Sequence, residues 1–134
     1  MDSNIIVDVL SKRDGYDESL QLLRHCELGR AEGFVSVIIV TDVMCILRKH
    51  INPSLVREAV QTLLSFVDVV NVLKNDITSG FSSDMKDYED AVQTSCAERI
   101  KADYIVTRNT DDFKKSPIPA ILPNAAINII ATFK

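Results

Sequence analysis

Short apolar runs rich in β-branched residues alternate along this chain with stripes of helical period, and that alternation restricts its fold more than any other feature. Phe34-Val35, Val67 to Leu73, Tyr104 to Thr107 and Ile118 to Leu122 read as strands, the last flanked by prolines. Asp17 stands where it can cap a helix reaching about Leu28, with Leu20, Leu23 and Leu28 on or near one face and Gly29 and Gly33 to end it. Asn52-Pro53 places an N-cap before a proline at the first helical position, and Val56, Val60, Leu63 and Leu64 give the stripe that follows. Asp76 can cap a further helix, and Asp87 opens another that runs to about Lys101. Ile5 to Leu10 begins apolar and leads into a polar loop, Ser11 to Asp14. Strands separated by helices predict an α/β fold with a mostly parallel sheet and helices on both faces, a three-layer α/β/α arrangement. Neither a repeat nor a Pro/Gly-rich linker divides the 134 residues, so one domain over 1–134 is expected.

Composition narrows the chemistry. The chain is 46% hydrophobic and 25% charged, the balance of an ordinary soluble protein. Its longest apolar run, Phe34 to Val40 broken by Ser36, is too short for a bilayer, and no basic leader with an apolar segment is visible, so a cytoplasmic location is expected. Cys26, Cys45 and Cys96 are odd in number and widely spaced, reading as reduced core residues. His25 and His50 are isolated, and no Cys or His pair has zinc spacing. A net charge of −4 speaks against a broad basic nucleic-acid-binding face. It leaves open an enzyme that meets nucleic acid through a metal ion. The local basic groups are Lys12-Arg13, Arg48 to His50 and Lys114-Lys115, which also suit solvated helix ends and loops.

In parallel α/β sheets, sites form outside the carboxyl ends of the strands. The residues there are acidic. Asp2 opens the chain before Ile5-Ile6-Val7. Asp42 follows the apolar segment Val35 to Val40 and is expected to begin the helix of Met44, Leu47 and Arg48. Asp90 falls in the first turn of the helix after Asp87, and Asn109, Asp111 and Asp112 follow the strand Tyr104 to Thr107. Each has a plainer role open to it. Asp42 and Asp90 suit the positive end of a helix dipole, Asp87 and Asp90 have capping-box spacing, and Asp111 and Asp112 suit a turn onto Phe113. As a set they repel one another unless a cation neutralises them. Hard oxygen donors suit Mg²⁺ or Mn²⁺. With no Walker-type glycine loop and no Gly-x-Ser-x-Gly elbow, hydrolysis by metal-activated water is the reaction class that remains.

Three segments carry a family resemblance. Asp2-Ser3-Asn4-Ile5-Ile6-Val7-Asp8 resembles the opening signature of PIN domains, Asp87-Tyr88-Glu89-Asp90-Ala91-Val92-Gln93 their Asp-aromatic-Glu-Asp-Ala segment, and Ala102-Asp103-Tyr104-Ile105-Val106-Thr107-Arg108-Asn109 through Asp112-Phe113 their closing block. The motifs stand in family order and cover nearly the whole chain, which is most similar to the VapC-like group of Mg²⁺-dependent toxin ribonucleases. The resemblance implies a parallel sheet of about five strands between helices. It implies Asp2, Asp42, Asp90 and Asp112 as catalytic carboxylates, with Asp2, Asp90, Asn109 and Asp112 around the metal. Many members have Asp where this chain has Asn109, whose amide oxygen brings no charge, and Asp112 is expected to compensate. The family also has an apolar strand before its first aspartate, central in the sheet. Here only Met1 precedes Asp2, so the first strand is expected to be truncated in this sequence and completed by residues upstream.

The function expected is therefore a metal-dependent ribonuclease, the toxin of a toxin–antitoxin pair. Lys12, Arg13, Arg108, Lys114 and Lys115 would guide RNA to the acidic pocket, because that pocket alone repels phosphate. The alternative is a weakly active or inactive PIN domain that binds nucleic acid or protein; a third reading makes every carboxylate a cap or turn. A cognate antitoxin and a homodimer are the partners implied, with Val43 to Leu47 and Val56 to Leu64 open either to an interface or to the core.

Overall fold

Asp2 sets the first helix, its carboxylate accepting the Ser3 N–H at 2.7 Å. The structure, a computed structural model, describes residues 1–133. Helix α1 (Ser3–Ser11) buries Ile5, Ile6, Val7 and Asp8, so the apolar run that leads into the Ser11 to Asp14 loop is itself helical. Helix α2 (Tyr16–Glu27) follows Gly15, and Asp17 lies inside its first turn rather than at its cap. Gly33 opens strand β1 (Gly33–Ser36) instead of ending a helix. A Cβ there would stand 2.9 Å from Cys26 Sγ, so the strand and α2 approach closely only because the residue is glycine.

The apolar segment Val35 to Val40 divides where the sequence reading ran straight on. Ser36 ends β1, and its hydroxyl accepts the Ile39 N–H at 3.3 Å to cap α3 (Val37–Leu47). Ile39, Val43 and Leu47, four residues apart, are each 1% exposed, so helical period overrides β-branched preference. Asp42 therefore lies within α3, not at its start. Helix α4 (Pro53–Leu64) begins as its sequence announces, Asn52 Oδ1 accepting the Ser54 N–H at 2.9 Å. Strand β2 (Val67–Val70) stops short of Leu73, because Asp76, at the third position of α5 (Lys74–Phe81), accepts the Leu73 N–H at 2.8 Å and draws that segment into a helix entry. Helix α6 (Tyr88–Arg99) is capped by Asp87, which accepts the Asp90 N–H at 3.0 Å. Strand β3 (Ile105–Val106), a 3-10 turn (Thr110–Phe113) and strand β4 (Ala120–Ile121) follow, then α7 (Pro123–Thr132), which starts on a proline as α4 does.

The strands form two parallel pairs, β1 with β2 and β3 with β4, rather than one continuous sheet of five. Met1 and Asp2 run between the pairs. The Met1 ammonium donates to the Phe34 carbonyl at 2.7 Å, and the Asp2 N–H donates to the Val106 carbonyl at 2.9 Å. Successive residues thus bond to opposite sides, as a strand between two neighbours does. Beside this two-residue link lies a cavity of about 870 Å³, walled by Leu22, Phe34, Val35, Ile105, Val106 and Ile130. Helix α1 serves both halves: Ile6 and Val7 join the core of β1, α3 and α4, while Ile5 joins Leu22 and Ala126. The α/β class and the parallel direction stand; the described residues show four short strands and not a sheet of five.

Candidate active site

Asp2 is only 8% exposed, and its carboxylate is fixed on both oxygens. Oδ1 accepts the Ser3 N–H, and Oδ2 accepts the Thr107 hydroxyl at 2.8 Å and the Asn4 amide at 3.4 Å. Thr107 is fully buried just after β3, where its N–H donates to Ile121. Its hydroxyl oxygen also accepts the Asn109 N–H at 3.0 Å. This network orients Asp2 and the turn after β3 together. Asn4 and Thr107 were not singled out from the sequence, although both stand inside the segments that carry the resemblance.

Asp90 faces Asp2 from the first turn of α6. Asp87 caps the helix through the Asp90 N–H, but the return bond of a capping box is not made, so the Asp90 carboxylate is not spent on the helix end. Burial, then the charges of Asp2, Asp87 and Asp112, push its carboxyl up to about 7. Three remote segments thus bring like charges within electrostatic reach. Asp112 reaches the group from the 3-10 turn, which buried Phe113 anchors. Asp111 instead pairs with Lys114 at 3.5 Å in solvent, and Asn109 is exposed and tied in through its backbone.

Asp42 joins this group through a residue that sequence reasoning passed over. It is hydrogen-bonded to Glu89, whose carboxyl is pushed up to about 7 first by that bond, then by burial and by the charges of Asp42, Asp87 and Asp90. A bond between two carboxyls needs a proton between them, which is why Glu89 holds its own well above the usual carboxylate range. Glu89 lies between two recognised aspartates and reads from sequence as an ordinary exposed helix residue. Only the position of α3 reveals its partner.

The basic residues divide. Arg108 Nε lies 2.6 Å from Asp8 and Arg13 lies 3.2 Å from it, and Arg108 also donates to the Asp14 carbonyl at 3.0 Å. Asp8 is wholly buried, so both guanidiniums are committed to it and to the end of α1. Lys12 and Lys115 are exposed, and Lys114 carries only its solvent pair with Asp111.

Among the described residues, no three Asp, Glu, His or Cys side chains are drawn together tightly enough to hold a metal ion as they stand. In kind the donors fit a hard divalent cation: Asp2, Asp90 and Asp112 offer oxygens only, and their shared repulsion is what a cation relieves. A family model described as PIN domain matches residues 1–111, taking in Asp2, Asp42, Glu89, Asp90, Thr107 and Asn109. The chain belongs to the PIN domain family. No curated protein and no solved structure matches it. PIN domains are generally nucleases and usually employ divalent metals, which agrees with an all-oxygen acidic cluster at this place in the fold.

The raised carboxyls give this PIN domain a pH dependence of definite sign. In the unfolded chain Asp and Glu titrate near 4, whereas Asp90 and Glu89 titrate at about 7 in the fold. Between those values the folded form holds more protons, so stability falls as pH rises from about 4 to 7. Without metal, the parent should lose on the order of 5 °C more of melting temperature than Asp90→Asn between pH 5 and pH 8. Calorimetry on both proteins checks this; parallel curves would show that Asp90 carries no strained charge.

Proposed function

We propose that this PIN domain is a metal-dependent endoribonuclease that hydrolyses RNA phosphodiester bonds, acting as the cytoplasmic toxin of a toxin–antitoxin pair. The observation that carries the reading is the meeting of Asp2, Asp90 and Asp112, from three distant segments, at mutual electrostatic cost. Asp2, Asp90 and Asp112, with the Asn109 amide oxygen, would hold Mg²⁺ or Mn²⁺. When bound, such an ion supplies an activated water and stabilises charge on the phosphate.

The chain's own groups do the rest. The Ser3 N–H and the Thr107 hydroxyl hold the Asp2 carboxylate in one orientation. Glu89, its carboxyl pushed up to about 7 beside Asp42, can take the proton of the attacking water. Water attacks phosphorus, the bond to one ester oxygen breaks, and that oxygen leaves with a proton as a hydroxyl. Lys12, Lys114 and Lys115 offset the acidic pocket's repulsion of the RNA backbone, with Arg13 and Arg108 mainly bracing α1.

The test is cleavage of single-stranded and structured RNA with Mg²⁺, Mn²⁺ or EDTA. Metal-dependent cleavage that EDTA abolishes is expected. Binding without cleavage under any metal would favour the second reading, an inactive binding module, for which the uncharged Asn109 and the looseness of the carboxylate group speak. The toxin role has a separate check: expression should arrest growth, and the product of a small neighbouring gene encoding a DNA-binding protein should relieve it. Homodimerisation, also part of this reading, is read by light scattering.

A further inference from the structure

Phe81 leaves α5 with 76% of its surface in water, an expensive position for a phenyl ring. It is not loose. Its ring stacks on Tyr88 with centroids 4.9 Å apart and planes 28° from parallel. Tyr88 is itself fixed, its hydroxyl donating to the Ile77 carbonyl at 2.9 Å. The Tyr88 ring also lies against Gly80, where a Cβ would stand 2.7 Å from it and 3.0 Å from Val92. Glycine at 80 lets the ring lie flat on the α5 backbone, and the stacked pair presents an open aromatic face outward.

That face and the acidic cluster leave the start of α6 on opposite sides. Tyr88 is the first residue of α6 and Asp90 the third, about 200° apart around the axis, so the rings and the carboxylates flank the same first turn. A helix with its side chains is about 10–12 Å across, a span that a few nucleotides of one extended strand can cross. Exposed Lys86, just before Asp87, puts a cation beside that crossing.

We propose that Phe81, braced by Tyr88, is a stacking platform for an unpaired base of single-stranded RNA whose backbone crosses the start of α6 to the Asp2–Asp90 carboxylates. The path of the strand rests on the nuclease reading; the platform itself rests on the rings. Stacking on an aromatic face accepts any base, so the site selects single strands over duplexes without reading sequence.

The chain has no tryptophan, so Phe81→Trp gives one fluorophore at the platform. A fluorescein-free RNA decamer without secondary structure should quench it, and the same decamer annealed to its complement should not. Phe81→Ala, a change at an exposed position, should keep the parent's melting temperature and bind a labelled decamer on the order of tenfold more weakly by anisotropy. Its cleavage should show the loss in KM with kcat nearly kept. Equal affinity of Phe81→Ala and parent, or binding of the decamer without quenching, would overturn the platform. Quenching without cleavage by the parent would uphold the platform and remove the nuclease reading, whereas cleavage without quenching would do the reverse.

Discussion

Asp90→Asn is expected to lower metal-dependent RNA cleavage by two to four orders of magnitude while leaving the fold intact. The amide keeps the shape and one acceptor oxygen but gives up the charge that attracts a hard cation. Helix α6 keeps its cap, because Asp87 accepts the backbone N–H at 90 and not the side chain. Without metal the variant should be more stable than the parent at pH 8, since one of several crowded charges is gone. With saturating Mg²⁺ the order should reverse, because only the parent gains binding energy. Melting curves with and without Mg²⁺, beside cleavage rates, read all three outcomes. Parent-level cleavage together with an undiminished Mg²⁺-induced rise in melting temperature would make residue 90 a bystander.

Arg108→Ala should do the opposite, harming the fold before the chemistry. It removes the partner 2.6 Å from a wholly buried carboxylate and leaves Asp8 with Arg13, which is half in water. The expected cost is about 2–3 kcal/mol, reduced from that of a fully buried pair because Arg108 is partly exposed and Arg13 remains. That corresponds to a melting point lower by on the order of 10 °C. Arg108→Ala/Asp8→Asn should recover part of the loss, since an amide needs no counter-charge. If Arg108 were chiefly an RNA contact, the single variant would melt like the parent and bind RNA more weakly with a shallower salt dependence. Arg13→Ala, removing the more exposed partner, should cost less.

The elements that the sequence disclosed were those with local punctuation. Asn52-Pro53 and Asp87 announce helices α4 and α6 because their side chains cap the backbone within the same turn. The elements that escaped are governed by distant packing. Val37 to Val40 has the residues of a strand, and only the buried series Ile39, Val43 and Leu47 makes it a helix. Of the candidate site, Asp2, Asp90 and Asp112 stood out by position, because carboxylates at the ends of regular elements are visible one at a time, whereas Asp42 was read as a helix start and lies mid-helix. The network around them was not visible. Thr107 binds Asp2 across 105 residues of chain, and Glu89 meets Asp42 although one stands in α6 and the other in α3. The double commitment of Arg13 and Arg108 to Asp8 has the same origin: a buried charge claims its partners through space, whatever their neighbours in sequence suggest.

The seam of the sheet is also where the Asp2 carboxylate is mounted. Across that seam the two halves are joined in the backbone by one bond from Met1 to Phe34 and one from Asp2 to Val106, beside the open cavity. Asp2 ties the two strand pairs through its backbone and, through its carboxylate, the Ser3 N–H and the Thr107 hydroxyl as well, so a change at that carboxylate is felt on both sides of the seam. Whatever grips Asp2 from the pocket side then also steadies both strand pairs. Divalent metal should slow amide exchange at Asp2 more than at Val35 or Val43, deep in one half, and a uniform slowing across all three would mean that the metal acts on the whole fold and not through Asp2.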